Sequence, residues 1–496
     1  MIGFAVIRVL TGLLGLFVPI VLARNMALTA YADYALLLSM VMLVIVAGSL
    51  GYDRGAFRFV PPLYAAGHVL SALQLGAELI LMRLVASIVL ATGVTCVALE
   101  VAFVGAPIAA ISASLFVTMV AVVATTEGLT VIASAFALHR TVAAIGLLIL
   151  LVRSCAFAGH LWIGEEALTL EYVIRVTLWT ESLQALLVVF AVLQLLGRQM
   201  VQRNKVLQPR SVTDRRAILK CCLSAWGAYL TSIPTQGPAL RLLVGVFADT
   251  ASLAAFAFFQ QLVDRGKAFL PLQLVLPNIE TSLSARRLNH VRADAAVLGA
   301  LTVMARVNLF VLCVALVVLI AAGAEIEHLL TKDRFGQHLL IAALLVGQLM
   351  LFSIESALWS AYNAAGDAML LNRASMISSL VAVPIVIAAG AFAGAVGVAA
   401  VAGVRVVILA SMLLKLEGGE PARCLLTCPL GIRSLSVALL SLGFTFWAVL
   451  GLQTAGGSGF SSLFLALIVF GSSAGLLRFV KLSEISTVAR LVNAVR

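Results

Sequence analysis

The chain has 496 residues, of which 62% are hydrophobic and only 11% charged, and its mean hydropathy is +1.12. A water-soluble fold of that length needs far more polar surface, so the soluble globular class is excluded. The formal net charge of +11 does not indicate nucleic acid, because most basic residues stand at the ends of apolar runs, where topology rules put them.

Those runs are about 20 residues long, which matches a hydrocarbon core of ~30 Å at 1.5 Å per residue. Lipid forces backbone hydrogen bonds to close within each run, so the runs read as helices. About 14 spans are expected. The first six cover residues 4–23, 35–52, 79–99, 109–136, 142–163 and 173–196; the next six cover 221–248, 253–276, 299–322, 338–362, 374–393 and 398–414; two more cover 434–452 and 461–480. The fold class is therefore all-α: a polytopic membrane protein of two six-helix lobes plus two C-terminal helices. The lobes are residues 1–200 and 217–416, joined by a basic strap at 197–220, followed by the extra pair within 434–480 and a cytoplasmic tail at 481–496. The first run carries Arg8 and has no charged leading region, so it is expected to be retained rather than cleaved as a signal peptide.

With the N-terminus in the cytoplasm, the inner loops collect Arg54, Arg58, Arg140, Arg198, Arg203, Lys205, Arg210, Arg215, Arg216 and further cations, whereas the outer loops hold only Arg24, Lys332 and Arg334. Acids such as Asp33, Glu100, Glu165, Glu166 and Asp249 gather outside. Both termini are thus expected to be cytoplasmic in a bacterial inner membrane. The strap has two readings: a solvated linker that obeys charge topology, or a segment lying on anionic lipid headgroups. Asp53-Arg54-Gly55 with Pro61 recurs as Asp264-Arg265-Gly266 with Pro271, a faint sign of an internal repeat.

Charges inside a span need a partner, a wet cavity or a route to the surface. In an antiparallel helical pair, residues equidistant from the turn lie level. That places Glu127, Arg153 and Glu181 together near mid-membrane in spans 4, 5 and 6, either as structural glue or as a proton-coupling site with one carboxylate to spare. The same reasoning pairs Arg306 with Glu355, while Glu78 and Arg83 settle each other or snorkel. Span 7 is interrupted by Pro234 and Pro238, with Arg241 one turn later; broken helices often mark binding sites or hinges in transporters. Span 8 carries Gln260, Asp264 and Lys267 on one face, with Gln261 and Arg265 beside them. Asp264 and Lys267 can neutralise each other at i, i+3. The cations then left over are Arg241, Arg265 and Arg405, with Arg8 either joining them or snorkelling. Guanidinium forks suit pyrophosphate and carboxylates, so a cationic site for an anionic head group is expected. Gly390, Gly394 and Gly397 form a small-residue seam for close helix packing where spans 11 and 12 join.

The words Leu22-Ala23-Arg24, Tyr31-Ala32-Asp33-Tyr34, Gly48-Ser49-Leu50-Gly51 and Arg58-Phe59-Val60-Pro61, with Leu242-Leu243-Val244-Gly245 later, resemble polysaccharide-transport flippases of the multidrug/oligosaccharidyl-lipid/polysaccharide exporter superfamily. The 6 + 6 + 2 span pattern is similar too. The resemblance implies two lobes in a V around a cavity lined mainly by spans 1, 2, 7 and 8, and flipping of an undecaprenyl-pyrophosphate-linked oligosaccharide by alternating access. It also implies H+ or Na+ coupling as an open matter, and a polysaccharide polymerase and glycosyltransferases as functional neighbours. The drug-exporting branch often carries an acid in its first helix; here that run holds only Arg8 among charged residues.

No nucleotide-binding loop, nucleophile elbow or catalytic loop carboxylates occur, so no enzyme is expected. The seven Cys and six His lack metal-ligand spacing, and the loose Cys424/Cys428 pair has no further ligands nearby, so neither metal nor cofactor is expected. A lipid II flippase or another exporter of the superfamily is the alternative, and a membrane subunit of a polysaccharide synthase complex is the second.

Overall fold

The structure is a computed structural model. It describes residues 2–98, 112–163, 167–202, 215–270, 272–273, 295–365 and 368–416, with 422, 441–442, 445, 448–449, 463 and 465–470. Every secondary-structure element among these residues is helical, and eight helices are long and apolar enough to cross a membrane. The chain is a multi-pass, all-α membrane protein. Half of the strap (203–214), the tail, the Cys424/Cys428 pair and the greater part of the expected last two spans lie outside the described residues.

The chain forms two compact units, Met1–Val246 and Phe247–Arg496. The first holds α1 (Ile2–Asn25), α2 (Leu28–Gly48), α3 (Tyr52–Ala65), α4 (Val69–Ala98), α5 (Ala113–Ala135), α6 (His139–Ile163), α7 (Leu170–Gln202), α8 (Arg215–Ser232) and most of α9 (Gly237–Phe247). α2 is the central helix. Its Leu37, Met40, Val41, Val44 and Ile45 pack into Phe116, Met119, Val120 and Val123 of α5. By contrast Leu81, Met82, Val85 and Val89 of α4 face outward, as residues meeting acyl chains do.

The second span differs from its expected form. It ends at Gly48, and a separate helix, α3, fills part of what reads as an inner loop. The cause is the turn Ser49-Leu50-Gly51, in which Leu50 and Gly51 both adopt positive φ. Glycine tolerates that conformation without a Cβ penalty, and a Cβ on Gly51 would stand 2.8 Å from the Cys222 carbonyl carbon and 3.0 Å from Trp226 N. The turn therefore lets α8 approach to backbone contact. Trp226 Nε1 donates to the Ala47 carbonyl at 2.7 Å, which satisfies an acceptor freed by the end of α2.

The second unit holds α10 (Thr250–Gly266), α11 (Ala295–Thr331), α12 (Leu339–Ala365), α13 (Ala368–Val401) and α14 (Val404–Lys415). Its core joins Leu301 and Met304 of α11, Leu358 and Tyr362 of α12, Leu371 and Ala374 of α13, and Leu409 and Leu413 of α14. Phe258, Phe259 and Phe335 form an aromatic cluster at one end. α13 turns back on itself at Ala393 and Gly394, so the glycine seam does join two close helical segments. A Cβ on Gly390 would stand 3.1 Å from Val398 Cγ2, and one on Gly397 would stand 2.8 Å from the Ala389 carbonyl carbon.

Candidate functional site

The expected break in span 7 is present, and span 8, expected to be continuous, breaks as well. Span 7 runs as α8, a 3-10 turn at Ile233–Thr235 and then α9, as the two prolines require. Arg241 lies one turn into α9, 5% exposed, with Nη1 at 3.5 Å from Ser39 Oγ of α2. Span 8 runs as α10, a 3-10 turn at Lys267–Phe269, and an extended Leu270. The two Asp-Arg-Gly words therefore flank breaks: the first follows the α2–α3 turn, and the second precedes the end of α10.

On α10, Lys267 Nζ donates to Asp264 Oδ1 at 2.6 Å and lies 4.5 Å from the centre of the Phe352 ring. That pair matches its i, i+3 spacing. Arg265 is exposed and makes no ion pair among the described residues. Arg8 lies on α1, and its side chain is outside the described residues.

Arg405 departs from expectation. It is not left over: it forms an ion pair with Glu355, and its Nη1 donates to Ser375 Oγ at 3.1 Å. Glu355, assigned from hairpin geometry to Arg306, is held by Arg405 and by Trp359 Nε1 at 3.3 Å. Hairpin reasoning compares consecutive spans only, and this contact joins spans 10 and 12. Arg306 is itself buried on α11 at 7% exposure.

The first unit's cluster is also rearranged. Arg153 and Glu181 do pair, at 2.8 Å, with Thr180 Oγ1 accepting two further guanidinium hydrogen bonds at 2.7 and 2.9 Å. Glu127 instead pairs with Arg83, which also reaches Asp53 at 3.4 Å and lies over the Tyr52 ring. Glu78 turns away to Gln74 and Arg215. Tyr52 donates its hydroxyl to the Gly128 carbonyl, and Thr126 Oγ1 donates to the Glu181 carbonyl at 3.1 Å. Five helices, α3 to α7, are thus tied to one polar layer. Asp53 and Arg83 are the members that sequence reasoning missed.

The two expected six-span lobes share a charge plan. An Asp stands just beyond the second span (Asp53, on α3) and in the eighth (Asp264), an Arg in the third and ninth (Arg83, Arg306) and a Glu in the fourth and tenth (Glu127, Glu355), while the sixth carries Glu181 and the twelfth Arg405. Internal repeats of this kind are common in transporters. Among the described residues no group of His, Cys, Asp and Glu could hold a metal ion.

No family profile and no curated protein matches the chain. Solved structures do. The lipid II flippase MurJ in an inward closed conformation superposes with a TM-score of 0.58 over 96% of this chain and 99% of its own, at 12% identity. An inward-facing multidrug resistance MATE family transporter of the MOP superfamily gives 0.56 over 86% and 99%, at 13% identity. The Vibrio cholerae MATE transporter VcmN gives 0.53 over 85% and 94%, at 16% identity. At these identities the likeness is one of fold: the chain has the helical architecture of these membrane transporters.

Proposed function

We propose that the chain is a flippase that turns an anionic, undecaprenyl-pyrophosphate-linked oligosaccharide from the cytoplasmic to the outer face of a bacterial inner membrane by alternating access. The observation that carries this reading is Arg265. An exposed guanidinium with no carboxylate partner among the described residues, in the last turn of a helix that breaks just after it, is suited to a phosphate-bearing ligand. Within the same unit Lys267 is a second cation, tempered by Asp264; Arg241, in the first unit, is a guanidinium beside that unit's own broken span. Arg405 drops to a structural role because Glu355 neutralises it.

Fold similarity supports a transporter over an enzyme. Similarity to MurJ over nearly the whole chain also keeps lipid II, which presents the same pyrophosphate, as the second reading. A strain lacking the chain, restored with Arg265→Gln or with the Arg241→Gln/Arg265→Gln double variant, should lose polymer export at normal protein abundance. Full export by the double variant would remove the site. Accumulated lipid-linked oligosaccharide with unchanged peptidoglycan synthesis selects the first reading; arrested peptidoglycan synthesis selects the second.

A further inference from the structure

Arg83 is asked to serve two carboxylates. Glu127 of α5 takes one Nη group and Asp53 of α3 reaches the other at 3.4 Å. Arg83 is 3% exposed, whereas part of the Glu127 side chain is left uncovered by protein. Among the described residues Arg83 Nε is buried without an acceptor, and Ser87 Oγ, one turn further along α4, is buried without a partner. A buried guanidinium with unused donor capacity has room to redistribute its hydrogen bonds between two acceptors.

Every element packed against α5 bears on Glu127. α4 supplies Arg83, with Glu78 further off and engaged elsewhere. α3 supplies Asp53, Arg54 and the neutral Tyr52 hydroxyl, already bonded to Gly128. α7 supplies Glu181, and α6 supplies Arg153, which is committed to Glu181 and Thr180. α2 contributes Tyr31, Asp33 and Tyr34 only in its first turns, about 20 Å along its axis from Gly48. Arg54 adjoins Asp53 and favours its charged form. Among the described residues Glu127 has no such second cation: it shares Arg83 with Asp53, and its remaining charged neighbour is the like-charged Glu181.

We propose that Glu127 is a proton-binding site, and that Asp53 and Glu127 compete for Arg83 so that protonating Glu127 hands the guanidinium to Asp53. Two carboxylates on one cation in a low-dielectric layer cannot both stay ionised at little cost, and one takes up a proton. Asp53 stands two residues beyond Gly51, so the proton acts on the turn that separates α2 from α3 and seats α8. This use of the proton rests on the transporter reading. The site itself does not.

The test reads protons on the resting protein, reconstituted at full length in liposomes. Infrared difference spectra, taken as pH is stepped between about 5 and 9, report the carbonyl stretch of a protonated carboxyl. The wild type should show one such titrating group, and Glu127→Gln should lack it. Asp53→Asn, which leaves Arg83 to Glu127 alone, should lower the midpoint by about one pH unit, or roughly tenfold in proton affinity. A purely structural carboxylate would not move in that way. No titrating carboxyl in the wild type, a band retained in Glu127→Gln, or an unmoved midpoint in Asp53→Asn would each overturn the proposal. If Glu127→Gln fails to fold, the wild type and Asp53→Asn decide. Failure here leaves the Arg265 head-group proposal standing, and normal export by Arg265→Gln leaves this one standing.

Discussion

Gly51→Ala is the sharpest perturbation of the first unit. Gly51 has φ +69°, and a Cβ there would fall 2.8 Å from the Cys222 carbonyl carbon and 3.0 Å from Trp226 N. Holding alanine in the left-handed region costs about 1–2 kcal/mol. The overlap is with backbone rather than with a side-chain tip, so no rotamer change relieves it, and such overpacking costs about 1–3 kcal/mol. The sum is a loss of about 2–5 kcal/mol, expressed mainly as detachment of α8 from the α2–α3 turn. Gly227→Ala is the control on the same helix. Nothing lies within 4 Å of its added Cβ, so it should be neutral or stabilising by up to about 1 kcal/mol. Equilibrium unfolding in mixed micelles, followed by Trp226 fluorescence, compares the two. A Gly51→Ala protein within about 0.5 kcal/mol of wild type would refute the close seating of α8.

Arg405→Met should destabilise by about 3–5 kcal/mol, because it strands the buried Glu355 carboxylate, and adding Glu355→Leu should restore most of that; the same unfolding assay, run as a double-mutant cycle, checks it. Tyr52→Phe removes the hydrogen bond to Gly128 and should cost about 1 kcal/mol in that assay, with the fold retained. Trp226→Phe removes the bond to Ala47 at a similar cost and should speed hydrogen exchange at the end of α2, measured by mass spectrometry.

Much of this fold is legible in the chain. Run length marks the spans, the two prolines mark the break in span 7, and i, i+3 spacing marks Asp264 with Lys267. What stayed hidden has physical causes. Apolarity alone does not show that Leu50 and Gly51 take positive φ, so the α2–α3 turn reads as the end of a span. Placing span 3 at 79–99 rather than at Val69–Ala98 set Arg83 at a membrane edge, where snorkelling explains it. In its full-length helix Arg83 sits mid-way, level with Glu127. Arg405 with Glu355 lies beyond any hairpin rule, because the two spans are not consecutive. The repeated Asp-Arg-Gly word gained weight only once each copy proved to lie beside a helix break.

The most direct measurement of the central claim is flipping in proteoliposomes. An undecaprenyl-pyrophosphate oligosaccharide with a fluorescent sugar is loaded in both leaflets, and an impermeant quencher reports transfer. Wild-type protein should move the lipid, Arg265→Gln should move it at least tenfold more slowly at equal incorporation, and a neutral analogue lacking the pyrophosphate should stay in place. Equal rates for wild type and Arg265→Gln, or transfer of the neutral analogue, would contradict a head-group site built on that guanidinium.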